Sequence, residues 1–292
     1  MQTKTIDQQY KEALRFIIQH GETKDDRTGT GTLSTALMPS MFFDLRDGFP
    51  LLSWKFTPFK SVSAELFWFL SGETKLKPLL DAGCNIWNGN AYDWYCKCRP
   101  HYGTRLLSKT EFLHEVKNGN LQYFELGKIY GHQWRGGRID QVQQVINGIK
   151  EGSHSRRLMV SAWNVNDINN NSMALPPCHF AWQVVVSGCG QFFDLSATMR
   201  SADFGLGVPF NVASYALLAE WLARQTGKKC RYLRLNFVGD SHIYLDHLEP
   251  LKEALEDKER PCNIMPRIWL RSGEYKVKGY NPNGRIQLKM SV

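Results

Sequence analysis

The spacing of apolar side chains predicts five helices. From residue 6 to residue 18 apolar side chains recur every three or four positions, after the capping-box pair Thr5 and Gln8 and before Gly21, as on one face of an amphipathic helix. Residues 61–72 are apolar on nearly every side and predict a helix buried in the core. Similar periodicity predicts helices over residues 139–149, 212–225 and 242–255.

Segments rich in β-branched and aromatic residues predict strands. They cover residues 157–163, 180–186, 192–199 and 232–237. Turn residues separate the first three, which indicates neighbouring strands of one sheet. Residues 92–126 have the weakest pattern and are predicted to form a surface insertion.

Composition narrows the class of protein. The chain has 292 residues, of which 42% are hydrophobic and 22% charged, so we expect one globular domain over residues 1–292. No run approaches the ~20 apolar residues of a membrane span, and no membrane association is expected. The net charge of +8 suits the binding of phosphates. Because the basic residues are scattered among acidic ones, no direct DNA binding is expected.

The cysteine pattern indicates a reducing compartment. Seven cysteines, an odd number, stand at irregular spacings in a chain that opens without an apolar signal segment, which predicts a cytoplasmic location. Cys96 and Cys98 lie close to His101 in the sequence. A single C-x-C without a second pair of ligands is a weak metal signal, so no metal is expected.

Cys178 lies in the sequence LPPCH, between a loop and a predicted strand. A cysteine nucleophile needs cationic groups or hydrogen-bond donors that lower its pKa. The neighbouring His179 is a poor general base for it, because adjacent residues of a strand point to opposite faces. From these residues alone an inert structural cysteine is favoured, and a nucleophile is the alternative.

Glu65 lies within AELFWFL, in the most apolar of the predicted helices. Burying a carboxylate there costs several kcal/mol unless it is hydrogen-bonded. Desolvation also raises the pKa of such a group, which suits proton transfer near neutrality. A structural acid bonded to the backbone or to an arginine is an equally good interpretation.

Three segments have the composition of a phosphate site, because they combine guanidinium groups with hydroxyls or with flexible glycine backbone. They contain Arg27, then Ser155, Arg156 and Arg157, and then Arg200 and Ser201. Surface ion pairing is the alternative for each arginine taken separately. The glycine-rich GTGTGT after Arg27 lacks the lysine of a P-loop.

Seven motifs resemble those of the thymidylate synthase family and occur in its order. They are DRTGTGT, AELFWFLSG, IYGHQWR, SRRLMVSAWN, ALPPCH, RSADFGLGVPFNVASYALL and GDSHIYLDHL. They extend from Asp26 to Leu248, and residues 290–292 are similar to the small apolar tail of that family. Such an ordered set is a very specific signal.

The resemblance implies an α/β (α+β) fold, with a mixed sheet packed with helices, and a homodimer formed through the sheet. It implies dUMP as substrate and 5,10-methylenetetrahydrofolate as co-substrate. Cys178 would add to C6 of the pyrimidine, Arg200 would help to keep Cys178 ionised, Glu65 would order water for proton transfer, and Tyr130 would assist proton removal at C5. The implied dUMP ligands are Arg27, Arg200, Ser201, Asn211, His242 and Tyr244, with Arg156 and Arg157 from the second subunit. The implied folate ligands are Trp87, Asn88, Asp203, Leu206, Gly207, Phe210 and Val292.

The resemblance assigns the choice of base to Asn211. C5 of uracil becomes nucleophilic only after a thiolate has added at C6. An amide can donate to O4 of uracil and accept from N3–H, whereas cytosine presents the opposite pattern. Because relatives that act on cytosine nucleotides have aspartate here, Asn211 predicts uracil.

Several positions depart from the family pattern around the ring and the folate. Thr198 and Met199 replace Tyr-Gln, Asn88 replaces an acid, and Ser53 with Trp54 stands for Thr-Thr before Lys55. Bacteriophage deoxycytidylate hydroxymethylases also resemble this chain in having Met before the arginine.

These departures bear on the last step, in which an exocyclic methylene receives either hydride or water. Hydride transfer needs water excluded, whereas hydration needs an oriented water. Together, Asn211 and Met199 predict a deoxyuridylate hydroxymethylase. Thymidylate synthase is the alternative, and a non-catalytic nucleotide- or RNA-binding relative is a remote one.

Overall fold

The computed structural model describes residues 3–98, 105–168, 172–257, 260 and 265–290. The helices are α1 Ile6–His20, α2 Phe59–Leu70, α3 Lys77–Asp81, α4 Asn88–Cys98, α5 Lys109–Asn118, α6 Gln141–Lys150, α7 Val165–Ile168, α8 Gly207–Thr226 and α9 Leu245–Glu256. The strands are β1 Glu22–Lys24, β2 Thr32–Thr35, β3 Met41–Asp44, β4 Met159–Ser161, β5 His179–Val186, β6 Phe192–Asp203, β7 Lys229–Tyr244, β8 Arg267–Arg271 and β9 Glu274–Lys278. A π-helical turn covers His132–Gly136. Two residues considered above, His101 and Val292, lie outside the described residues.

Helix α1 has the predicted limits because its capping box forms. The Thr5 side chain accepts a hydrogen bond from the Gln8 amide, and the Gln8 side chain accepts one from the Thr5 amide. Helix α8 begins at Gly207, not at residue 212 as predicted. The carboxylate of Asp203 accepts three backbone N–H groups at this start. It supplies acceptors that an apolar pattern cannot reveal.

Strands β1 to β7 form one sheet in the order β1-β2-β7-β6-β5-β4, with β3 also paired to β7. Strand β7 runs parallel to β6 and antiparallel to β2 and β3, while β5 and β6 are antiparallel. Helix α8 packs on β6 and β7 and is buried along most of its length. This mixed sheet packed with helices confirms the predicted α/β class.

The predicted helix over residues 242–255 is wrong at its start. His242 and Tyr244 end β7, where they pair with Ser34 and Thr32 of β2, and α9 begins only at Leu245. Alternation in a strand and helical periodicity are hard to separate over so few residues. The pairing with β2 decides the outcome.

Residues 92–126, predicted as a surface insertion with little pattern, contain regular structure. Helices α4 and α5 occupy much of it, and α5 begins with a capping box between Ser108 and Glu111. The rings of Tyr95 and Phe112 stack with centroids 4.7 Å apart, and Phe124 contacts Phe112 at 5.0 Å. Tyr95 and Phe112 are buried. Aromatic residues from separate elements therefore build a small core of their own.

The described residues form two compact units. The first comprises Met1–Phe59, Val145–Met159 and Cys178–Ser291, and the second comprises Lys60–Gln144 and Val160–Pro177. The single catalytic domain stays a prediction. Among the described helices, none combines the length and the apolar character needed to cross a membrane.

Candidate functional site

Cys178 lies immediately before β5, at the junction of loop and strand that the sequence indicated. Its carbonyl oxygen accepts a hydrogen bond from the backbone N–H of Arg200 in β6, at 2.9 Å. The pairing of β5 with β6 therefore makes Cys178 and Arg200 neighbours, although they are far apart in the sequence.

A β-bulge in the sheet presents Arg200 together with Ser201. Met199 pairs with Phe237, but Ser201 pairs with Asp240, so β7 has one extra residue at this point. A Cβ on Gly239 would lie 2.1 Å from the carbonyl oxygen of Arg200, so the close approach of the two strands requires glycine. Arg200 and Ser201 follow each other in β6, where side chains normally alternate between faces, yet both are partly accessible. Bulges re-aim side chains in this way beside active sites.

The pKa of Cys178 is raised in the single chain. Desolvation by burial is the largest cause, Arg200 and Arg27 act in the opposite direction, and Asp203 adds to the rise. The two guanidinium groups therefore favour the thiolate, as a nucleophile requires, but burial outweighs them.

His179 does not serve as a base for Cys178. Its Nδ1 lies 2.8 Å from the hydroxyl of Tyr215 on α8, and burial lowers the pKa of the imidazole to about 3. The ring is thus held neutral on the α8 side of the sheet, in agreement with the alternation of side chains along a strand.

The loop that carries Arg27 is organised by Asp26. The Asp26 carboxylate accepts hydrogen bonds from the backbone N–H and hydroxyl of Thr28, at 3.0 and 2.6 Å, and from the Gly31 N–H at 2.8 Å. Gly31 has φ 76°, which favours glycine. Arg27 itself is exposed, and its charge acts on Cys178 and on Tyr244.

Asp203 and Asn211 lie together at the start of α8. A Cβ on Gly207 would lie 3.6 Å from Cβ of Asp203 and 3.7 Å from Oδ1 of Asn211. Leu206 and Phe210, predicted with them, flank the same turn and are partly accessible. The structure thus brings the predicted acid, the amide and the glycine to one helix N-terminus.

His242 and Tyr244 share one face at the end of β7, with ring centroids 5.2 Å apart. Asp240 orients the imidazole through a 2.7 Å contact between Oδ1 and His242 Nδ1. The pKa of Tyr244 is raised to about 12 by desolvation, then by Asp203 and Asp26, with Arg27 opposing. These charges link Tyr244 electrostatically to the residues around Cys178.

In the second unit, Glu65, Trp87 and Tyr130 form a separate group. The indole Nε1 of Trp87 donates to Oε1 of Glu65 at 2.8 Å, and the ring of Trp87 lies 6.3 Å from that of Tyr130. Desolvation raises the pKa of Glu65 to about 7, against the lowering effect of Trp87. The buried amide oxygen of Asn88, next to Trp87, has no hydrogen-bond partner among the described residues.

A family model described as thymidylate synthase matches residues 8–292. The chain belongs to the thymidylate synthase family. It is 44% identical to the thymidylate synthase of Mesoplasma florum, with 97% of this chain and 99% of the relative covered. It is 41% identical to the probable thymidylate synthase of Escherichia phage T5, with the same coverage. It is 38% identical to the thymidylate synthase of Agaricus bisporus, over 97% of this chain and 98% of that one.

Members of the thymidylate synthase family are transferases that act on dUMP with methylenetetrahydrofolate. The described residues include no group of three or more His, Cys, Asp and Glu side chains placed to hold a metal ion. Folate-dependent transfer of one carbon to C5 of dUMP is therefore the chemistry of this family that the site has to support.

Arg156 and Arg157 are the two site residues that the resemblance assigns to a second subunit. Both are exposed before β4, and neither appears among the charges that shift the pKa of Cys178 or of Tyr244. The Gln183 side chain donates to the carbonyl oxygen of Arg156 at 2.8 Å, which fixes the backbone of this segment.

The structure also places the residues that depart from the family pattern. Met199 is 2% exposed, on the buried side of β6, whereas Thr198 and Arg200 are partly accessible on the other side. Trp54 is fully buried and packs against Tyr10, with ring centroids 5.9 Å apart. The departures at positions 54 and 199 thus belong to the core.

Sequence reasoning missed two buried charged residues that support the site. The Asp7 carboxylate accepts from the backbone N–H of Ser53 and of Trp54, at 2.8 and 3.0 Å. The Lys55 ammonium donates to the carbonyl oxygen of Gly205, and burial lowers the pKa of Lys55 to about 8. Asp7 stands in the first turn of α1, where acidic residues are common, so only its tertiary contacts show this role.

Glu65→Gln is expected to stabilise the protein at high pH. The folded carboxyl has a pKa of about 7 against an ordinary 4.5, so the folded state binds the proton more tightly and stability is lost as pH rises through this range. At pH 8 the variant should gain up to about 3 kcal/mol, since one pKa unit corresponds to about 1.4 kcal/mol, and at pH 5 much less. Urea unfolding at both pH values measures this, with exposed Glu151→Gln as control. A difference that is equal at the two pH values would contradict the raised pKa.

Proposed function

We propose that this protein is a thymidylate synthase, which converts dUMP and methylenetetrahydrofolate to dTMP and dihydrofolate. The observation that carries the choice of methyl over hydroxymethyl is the position of Met199. Its side chain is 2% exposed on the face of β6 opposite Arg200. Met199, on which the hydroxymethylase hypothesis rests, therefore packs in the core and leaves the face that carries Arg200 unchanged. The relatives named as thymidylate synthases, 38 to 44% identical, support the same choice.

The proposed reaction begins at Cys178. Its sulfur forms a bond to C6 of dUMP, and the electron pair of the C5–C6 double bond moves to give an enolate whose C5 attacks the folate methylene carbon. Arg27, Arg200 and Ser201 hold the phosphate, and Tyr244 with His242 binds the 3′-hydroxyl of the deoxyribose. Asn211 donates to O4 and accepts from N3–H.

The proton at C5 leaves next, through water ordered by Glu65 and assisted by Tyr130. The pKa of about 7 suits Glu65 to both accept and return a proton near neutral pH. Loss of tetrahydrofolate leaves an exocyclic methylene at C5. Hydride from the tetrahydrofolate then completes the methyl group, the C6–S bond breaks, and Cys178 is released as a thiolate.

A homodimer formed through the sheet is part of the proposal, because the single chain leaves the site short of positive charge. Burial raises the pKa of Cys178 despite Arg27 and Arg200, and two further arginines, Arg156 and Arg157, are exposed in the same chain. Supplied by a second subunit, they would bind the dUMP phosphate by bidentate hydrogen bonds.

Product analysis tests this function directly. Incubation with dUMP and methylenetetrahydrofolate is expected to give dTMP and dihydrofolate in equal amounts, measured by mass spectrometry and by the absorbance of dihydrofolate. Formation of 5-hydroxymethyl-dUMP with tetrahydrofolate would overturn it. If folded, dimeric protein formed neither product, folate-dependent transfer to dUMP would be excluded as its activity.

A deoxyuridylate hydroxymethylase is the second candidate, and Thr198 is the observation that favours it. Thr198 is partly accessible on the same face of β6 as Arg200, where most of the family has tyrosine. A smaller side chain leaves room for a water that could add to the methylene. If hydroxymethyl-dUMP is found, Thr198→Tyr is expected to reduce its share of the product.

A further inference from the structure

The turn between β6 and α8 is fixed from two sides at Gly205. The Gly205 N–H donates to Oδ1 of Asp203 at 2.8 Å, and its carbonyl oxygen accepts from the Lys55 ammonium. Both backbone groups of this residue are thus engaged, as buried polar groups require. The turn carries Asp203 and Leu206, which the family resemblance assigns to folate.

His247, on α9, closes a third side of the same glycine. It is fully buried, with 0% of its surface exposed. A Cβ on Gly205 would lie 2.3 Å from His247 Nδ1, so the imidazole lies directly against the glycine backbone and any larger residue would displace it. Nδ1 has no hydrogen-bond partner among the described residues.

The other imidazole nitrogen reaches the C-terminal segment. His247 Nε2 is hydrogen-bonded to the carbonyl oxygen of Lys289. Because a carbonyl oxygen can only accept, Nε2 carries the proton and is the donor. The Nδ1 edge of this buried ring therefore contacts the turn that carries Asp203, and its Nε2 edge binds the C-terminal segment at Lys289.

The rest of the C-terminal segment is fixed elsewhere. The Tyr280 hydroxyl accepts from the Thr57 N–H at 2.7 Å and donates to the Leu52 carbonyl at 2.9 Å. The Asn283 N–H donates to the Ser53 carbonyl at 2.8 Å. Within the described part of the chain, residues 286–290 make one hydrogen bond, which the Lys289 carbonyl oxygen accepts from His247. The last part of the segment therefore depends on one side chain.

We propose that His247 is a positioning residue that docks the C-terminal segment at Lys289 onto the Gly205 turn, and that this docking sets the affinity for the folate co-substrate. The catalytic half of this proposal rests on the proposed function. The structural half does not, because docking of the segment can be measured without substrate.

Two substitutions of matched chemistry separate hydrogen bonding from packing. His247→Gln places an amide N–H close to the position of Nε2 and can still reach Lys289, whereas His247→Asn places its amide near Nδ1 and is too short. In substrate-free protein, the peptide bond after Lys289, whose carbonyl oxygen His247 holds, should be cleaved by trypsin about three- to tenfold faster in His247→Asn, the effect of one lost hydrogen bond. His247→Gln should be cleaved there at nearly the native rate, with mass spectrometry as the measurement and exposed His114→Asn as the control.

A variant that leaves His247 in place guards against simple misfolding of the core. Gly205→Ala introduces a methyl group 2.3 Å from Nδ1 and should push the ring away from the turn. It is expected to accelerate cleavage after Lys289 as His247→Asn does. Native cleavage rates in both variants would overturn the docking role, and so would equal acceleration in His247→Gln and His247→Asn.

The kinetic arm tests the consequence for folate. His247→Asn should raise KM for methylenetetrahydrofolate by about three- to tenfold. Kd for dUMP, measured by equilibrium dialysis, should be the same in His247→Asn and His247→Gln, because both remove the ring that packs against Tyr244 with centroids 5.6 Å apart. His247→Gln should restore the folate KM. Faster cleavage after Lys289 with an unchanged folate KM would overturn the kinetic half. Inactivity of the native enzyme would instead count against the proposed function and leave the cleavage result standing.

Discussion

Cys178→Ala should abolish turnover while dUMP still binds. Without sulfur no bond to C6 forms, C5 remains unreactive, and kcat is expected to fall by at least about 10⁴-fold, the scale seen when a covalent nucleophile is removed. Arg27, Arg200 and Tyr244 are unaffected, so Kd for dUMP should change by less than about threefold. The measurements are release of tritium from dUMP labelled at C5, and equilibrium dialysis.

The control for this variant is Cys189→Ala. Cys189 is exposed in the turn between β5 and β6, and its pKa is lowered by hydrogen bonds from Ser187 and from the backbone. Because Cys189 is a reactive thiol without a proposed role in catalysis, Cys189→Ala should keep full turnover. Full activity of Cys178→Ala, or loss of activity in Cys189→Ala, would show that the nucleophile has been misidentified.

Asn211→Asp should transfer the preference for the base from uracil to cytosine. A carboxylate can accept from the amino group of cytosine but cannot donate to O4 of uracil. Sites built around a hydrogen bond to the substrate reject analogues that lack it, so the ratio of kcat/KM for dUMP to that for dCMP should fall by about 10³-fold or more. Rates with each nucleotide at limiting concentration give this ratio.

The position of Asn211 strengthens this expectation. The side chain lies at the start of α8 and is partly accessible. A Cβ on Gly207 would lie 3.7 Å from Asn211 Oδ1 and 3.6 Å from Cβ of Asp203. Asn147→Asp makes the same charge change at an exposed position of α6 and should leave the ratio unchanged. An unaltered ratio in Asn211→Asp would contradict the role of the amide in selecting the base.

The two variants address different links of the mechanism. In the proposed mechanism, Cys178 provides the bond that activates the ring, whereas Asn211 decides which ring is accepted. The first should therefore reduce kcat for every base, and the second should change the order of the bases with Cys178 intact.

Sequence alone determined the family and supplied the candidate site residues. Seven ordered motifs carry chemistry that depends on residue type and order, so Cys178, Arg200, Asn211 and Tyr244 could be named without coordinates. The limits of α1 also followed from the sequence, because a capping box is a local signal that spans four residues. Local patterns of this kind survive folding unchanged.

The tertiary structure decided what depends on partners distant in sequence. Pairing with β2 made His242 part of a strand, and aromatic contacts gave residues 92–126 a core. Burial placed Met199 away from Arg200, which removed the main argument for hydration. The same holds for the thiol of Cys178 and for His247, because desolvation and contact with the C-terminal segment arise only when remote parts of the chain meet. A shifted pKa and a packing contact both depend on groups from distant parts of the sequence, so they are decided only when the chain has folded.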